Sequence, residues 1–235
     1  ITLMFVCYDL SPLKDWITNT PTWWLVLFFL DDFTYYVFHR ANHEVRLMWA
    51  GHVPHHNSQY YNYGTALRQG VAERCIKYFF WCPLAFLGFH PTMILTAISL
   101  SLIYQFWLHT ETIDKMAPWF EFLFNTPSHH RVHHGSNIRY LDRNHGGVLI
   151  IWDRFFGTFS EELKTEPVRY GLTTNIETLR PAEVAFGEFS NINRDVRRAN
   201  RWRDKISYLY LAPGWSHDGE DCRSDTLRNQ ENTAH

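Results

Sequence analysis

Four cysteines in 235 residues, Cys7, Cys75, Cys82 and Cys222, form no C-x-x-C pair and no regular spacing. That excludes a disulfide-stapled scaffold. They read as reduced packing residues, compatible with a site that faces the cytosol. Charge of one sign is missing too. The 22 Lys and Arg against 24 Asp and Glu leave a formal net charge of −2, so no nucleic-acid partner is expected. No flavin or haem motif is present. The chain opens Ile1-Thr2-Leu3-Met4-Phe5, without an initiator Met or a basic leader. It reads as a piece of a longer chain and not as a signal peptide.

Uninterrupted apolar runs of the ~20 residues that cross a bilayer upright are also absent. Three shorter ones stand in their place. Trp23 to Phe38 is apolar apart from Thr34 and Asp31-Asp32, Ile76 to Phe89 is broken only by Lys77, and Met93 to Leu108 follows the turn Gly88-Phe89-His90-Pro91. Trp23, Trp24, Tyr35, Tyr36, Tyr78, Trp81, Tyr104 and Trp107 bracket these runs as interfacial anchors do. The expected fold is all-α: an integral membrane helix bundle with a cytosol-facing, histidine-rich di-metal cap. Residues 1–22 read as a lead-in, 23–160 as the membrane-embedded domain and 161–235 as a polar, basic C-terminal segment. Arg40, Arg46, Arg131, Arg139, Arg143, Arg154 and the basic stretch 194–205 put the cytosol on the histidine side. A solvated helix face is the alternative account of that last stretch.

What the chain has in abundance is clustered histidine. His-x-x-His-His occurs twice, as His52-Val53-Pro54-His55-His56 and His130-Arg131-Val132-His133-His134, and the pair His39/His43 precedes the first copy. Neutral imidazole offers one good lone pair to a metal, and spacings of three and four share a helix face. Two identical triplets fit poorly with scattered, merely satisfied histidines. His39, His43, His52, His55, His56, His130, His133 and His134 are therefore candidate ligands, with His109 added because it directly follows the third apolar run. Nine imidazoles exceed the roughly four that one zinc uses and suit two ions in one cage. His129 turns away from its neighbour by roughly 100° on a helix and reads as lying behind the ligands. His145 is left outside the ligand set, and His90, His217 and His235 read as incidental.

Two carboxylates are candidate catalytic groups. Asp32, costly in an apolar run unless paired, is expected to orient a histidine from a neighbouring helix. Glu44, next to His43, is expected to cap the ligand shell from the side or to lie just behind it. Imidazole suits Zn, Cu, Fe and Ni alike, so spacing does not name the metal. Two irons make sense for activating O2 against an unactivated C–H bond, with electrons from an external reductant. A non-enzymatic membrane protein binding zinc, copper or haem is the alternative from another class.

The stretches 39–43, 52–56 and 130–134 resemble the fatty acid hydroxylase/sterol desaturase superfamily of membrane di-iron enzymes. So do Asp32–Arg40, Tyr61–Gln69, Tyr104–Glu111, Asn125–Gly135 and Gly147–Phe159. The likeness runs from about residue 30 to 175 and is closest to the branch that cleaves ether lipids. It implies O2-dependent hydroxylation of the alkyl carbon next to the ether oxygen of alkylglycerols, releasing a fatty aldehyde. It further implies two Fe, tetrahydrobiopterin as reductant, a lipid substrate, and a site on the cytosolic side of the endoplasmic reticulum or bacterial inner membrane. It carries the eight triplet and pair histidines and Glu44 into the site. His145 stands where the family has an aromatic residue. A sterol or fatty-acyl hydroxylase or desaturase fed by a protein electron donor is the alternative within the superfamily.

Overall fold

A computed structural model describes residues 1–233; His235 lies outside the described residues. The described residues are helical and contain no strand, only two isolated bridges, Phe124 with Leu149 and Gly135 with Tyr170. The order is α1 (Thr2–Asp9), α2 (Pro21–Glu44), α3 (Arg46–His56), α4 (Tyr63–Leu67), α5 (Val71–Phe86), α6 (Pro91–Trp107), α7 (Pro118–Leu123), α8 (Pro127–His133), α9 (Ile151–Phe156), α10 (Pro181–Arg198), α11 (Trp202–Tyr210) and α12 (Ser224–Thr233). A 3-10 turn, Ile138–Tyr140, interrupts the long loop after α8.

Local chemistry sets these boundaries. Proline opens α2, α6, α7, α8 and α10, where its fixed φ suits a first helical position and its missing N–H costs nothing. Asn62 and Thr65 close a reciprocal capping box on α4. Gly88, at φ +101, makes the sharp turn between α5 and α6 that the Gly/Pro signal predicts.

The core joins α1, α2, α5 and α6 through Met4, Leu27, Phe38, Trp81, Leu84, Phe89 and Ile94. No helix of the described residues is long and apolar enough to cross a membrane. α2 has 24 residues but carries Asp31, Asp32, His39, Arg40, His43 and Glu44. α5 and α6 stop at 16 and 17.

Two buried carboxylates tie the bundle together. The Trp81 indole N–H donates to Asp31 Oδ1 at 2.6 Å, linking α5 to α2. Asp32 accepts from the backbone N–H of Val148 (2.7 Å) and Leu149 (3.2 Å) and from the Trp152 indole (2.9 Å). This corrects the expected role of Asp32: it anchors the 148–152 segment to α2, and all of its hydrogen bonds go there, none to a histidine. A short segment with unpaired N–H groups outcompeted the imidazoles for the carboxylate.

At the other end, Arg46 of α3 pairs with Glu188 (2.8 Å) and Asp195 (2.7 Å) of α10. Arg131 of α8 grips Glu162 through two nitrogens, at 2.9 and 2.7 Å, and also donates to the Thr110 and Ile113 carbonyls. Such paired, hydrogen-bonded arginines make rigid anchors for the helices that carry the triplets.

Candidate metal centre

Nine histidines from four places in the chain converge in the interior: α2 (39, 43), α3 (52, 55, 56), the end of α6 (109) and α8 with its cap (130, 133, 134). All nine are buried. They sort into two clusters. His39, His43, His52, His56 and His133 each bring a ring nitrogen within 4.8 Å of the others, and His55, His109, His130 and His134 do the same.

Each triplet is split between the clusters. In α3 the i,i+4 pair His52/His56 serves the five-histidine cluster and His55 the four. In the second triplet the pair His130/His134 serves the four and His133 the five. Helical geometry explains this: i and i+4 differ by about 40° around the axis, whereas i+3 and i+4 are about 100° apart. One turn of helix thus feeds two adjacent sites.

The ring orientations are held from behind. Six histidines donate Nδ1–H to an acceptor: His39 to the His145 carbonyl (2.9 Å), His43 to Asp142 Oδ1 (3.0 Å), His52 to Glu73 Oε2 (3.1 Å), His55 to the Thr65 carbonyl (3.0 Å), His109 to the Gln105 carbonyl (3.0 Å) and His133 to the Arg143 carbonyl (2.9 Å). A neutral ring with its proton on Nδ1 presents a bare lone pair at Nε2. Three of those Nε2 atoms, on His39, His43 and His133, have no protein partner at all, nor does Nε2 of His134.

Elsewhere nitrogens face one another. His55 Nε2 lies 3.4 Å from His109 Nε2, and His109 Nε2 lies 3.0 Å from His130 Nε2. His55 and His109 both keep their protons on Nδ1, so the first contact is lone pair against lone pair. It repels unless a cation lies between, and neighbouring nitrogens bound at about 2.1 Å to one ion stand about 3 Å apart. The residues present fit two metal ions.

Electrostatics agree. Burial first, and neighbouring imidazoles second, hold His39, His55, His56, His130, His133 and His134 well below the usual histidine pKa. Burial also lowers His109 to about 4, and His43 is lowered by burial against the opposing pull of Asp142. These eight imidazoles are held in the neutral form that ligates a metal.

The backbone makes room for this. A Cβ on Gly70 would lie 1.7 Å from the Gly51 carbonyl, and one on Gly51 would lie 2.9 Å from the Glu73 nitrogen. Only that close pass of α3 against the start of α5 brings Glu73 onto His52. A cavity of about 530 Å3 with a mixed polar and apolar lining reaches the five-histidine cluster at His43, His56 and His133, between the 171–176 loop, α10 and the 213–227 segment.

Other candidates fall outside the clusters. Glu44 turns outward and pairs with Arg40 at 2.7 Å, its side chain 46% exposed. His129 lies behind α8, with its Nε2 2.9 Å from Glu121. His145 is buried beside the five-histidine cluster. His90 caps α6, and His217 bonds Tyr208. Sequence reasoning missed Glu73 and Asp142, the carboxylates behind His52 and His43. Neither belongs to a motif. The one local sign is a positive φ at Asp142 (+50), which Asp tolerates better than most residues, and it shows only in the structure.

A family model described as fatty acid hydroxylase matches residues 24–158, which contain all nine histidines. The chain is 45% identical over 197 residues to an alkylglycerol monooxygenase from Homo sapiens, covering 84% of this chain and 43% of the relative. It is 46% identical over 194 residues to one from Xenopus tropicalis (83% and 42%) and 44% over 195 residues to one from Danio rerio (83% and 43%). The chain thus spans less than half the length of these relatives. No solved structure matches. With the family match laid over a cage that fits two metal ions, this chain belongs to the fatty acid hydroxylase family.

Proposed function

We propose that the chain is the metal-bearing part of an O2-dependent lipid monooxygenase that hydroxylates the alkyl carbon next to the ether oxygen of alkylglycerols. One oxygen atom enters the C–H bond. The other leaves as water, with two electrons and two protons from an external reductant, tetrahydrobiopterin by family likeness. The resulting hemiacetal breaks its C–O bond to give a fatty aldehyde and glycerol. Two irons, when bound, supply the oxygen activation that side chains cannot perform.

Burial keeps eight of the cage imidazoles neutral, and Glu73, Asp142 and four backbone carbonyls aim six of the nine. The packed chain buries every cage histidine, with a cavity that reaches the five-histidine cluster. The observation that carries the reading is the pair of facing bare nitrogens, His55 and His109, in a chain 44–46% identical to three alkylglycerol monooxygenases.

A membrane setting is part of the proposal. Leu25 and Phe29 of α2, Phe79 and Phe86 of α5, and Leu100 and Ile103 of α6 are exposed. Apolar side chains facing outward on three neighbouring helices support burial in lipid, with the cage toward the cytosol. An apolar cavity of about 360 Å3 lined by Trp24, Phe28, Ala97, Leu100, Tyr104 and Val148 suits an alkyl chain.

The test is metal analysis of the purified protein followed by turnover of an alkylglycerol. Two irons per chain and aldehyde release that depends on added tetrahydrobiopterin are expected. Turnover of a sterol or fatty acyl substrate with a protein donor alone would replace this reading by the other branch of the family.

A further inference from the structure

His145 lies against the five-histidine cluster and is used by neither site. Its side chain is fully buried and neither ring nitrogen makes a hydrogen bond. Its ring centroid is 5.0 Å from that of His43, 5.7 Å from His133 and 5.8 Å from His39. Tyr36 lies on another side at 6.3 Å. His129 provides the contrast. That buried histidine faces away from the cage and has Glu121 as its partner.

The backbone around His145 is built to hold the ring there. Asp142 and Asn144 take left-handed φ values of +50 and +58, a conformation Asp and Asn tolerate but do not favour. Asp153 accepts from the N–H groups of His145 (2.8 Å) and Gly146 (2.7 Å). The His145 carbonyl in turn orients His39. A buried polar ring with no partner persists where its surroundings over-determine it or where something absent completes it.

We infer that His145 is a sixth imidazole for the metal of the five-histidine cluster. The inference rests on the two-metal reading above. Its nitrogens are not within the 4.8 Å that the five share, so ligation draws the ring inward. The two metals are then unequal, one facing six nitrogen donors and the other four.

The purified chain loaded with Co(II) tests this through visible absorption and the rate of metal release to a chelator. His145→Phe fills a similar volume without a donor, and His145→Gln keeps a polar group. Wild type and both variants are expected to bind two ions at saturation. His145→Phe releases one of them about 10- to 100-fold faster, with stronger cobalt bands as a ligand is lost, and His145→Gln falls between. Unchanged release and spectrum in His145→Phe overturn the inference. So does a metal-free His145→Phe that melts well below metal-free wild type, because the ring then serves packing. A wild-type chain that binds no metal defeats the two-metal reading itself, before any substitution is made.

Discussion

The two histidine clusters are built from the same motif yet held differently. The five-histidine cluster leans on carboxylates, Glu73 behind His52 and Asp142 behind His43, and a cavity opens onto it. The four-histidine cluster leans on backbone carbonyls alone, those of Thr65 and Gln105, and Tyr61 stacks over His109 at 5.6 Å. A carboxylate behind an imidazole makes it a stronger donor than a carbonyl does. One cluster is thus equipped to hold a metal more tightly and is reached by a cavity, whereas the other is enclosed by protein. The difference lies wholly behind the ligands, where no motif reports it.

The largest effect that can break this comparison comes from neighbours in sequence that serve different clusters. His133→Ala and His134→Ala should each abolish turnover while reducing metal content from two ions to about one per chain. Metal release should distinguish which ion remains. If both variants lose the same ion, the division of the triplets is wrong.

A smaller effect sharpens it. Asp142→Asn keeps the size and the acceptor oxygen but removes the charge behind His43. It should weaken one ion about tenfold and leave the other unchanged, as read by chelator competition. Equal weakening of both would mean that the clusters do not act separately.

The smallest effect concerns Glu44. Its ion pair with Arg40 is exposed, a class worth about 0–1 kcal/mol. Glu44→Gln should therefore shift the melting temperature by no more than about 4 °C. A fall in turnover with both metals retained would support the catalytic part that family likeness implies for Glu44. Unchanged turnover would leave it as a surface pair.

Much of the site was legible because histidine spacing is a local property. His-x-x-His-His on a helix aims its rings in two directions whatever else the fold does, and eight of fourteen histidines in such triplets and a pair are hard to read otherwise. The turn at Gly88 and the helices opened by Pro21, Pro91 and Pro127 were legible for the same reason. Asp32 was not. Burial of an aspartate in an apolar run signals a partner but does not say which, and its partners came from residues 148–152, more than a hundred positions away.

Sequence by itself determined the chemistry on offer: neutral imidazoles in two triplets and a pair, an apolar helical frame, and no cysteine framework. Tertiary structure alone decided which imidazoles cluster together, that Glu73 and Asp142 stand behind two of them, that Glu44 faces outward, and that His145 is sealed in beside the cage without a partner. The reason is physical. Spacing along one helix fixes directions within a turn, whereas the partner of a buried polar group is whichever group from a distant segment the packed chain brings within about 3 Å of it.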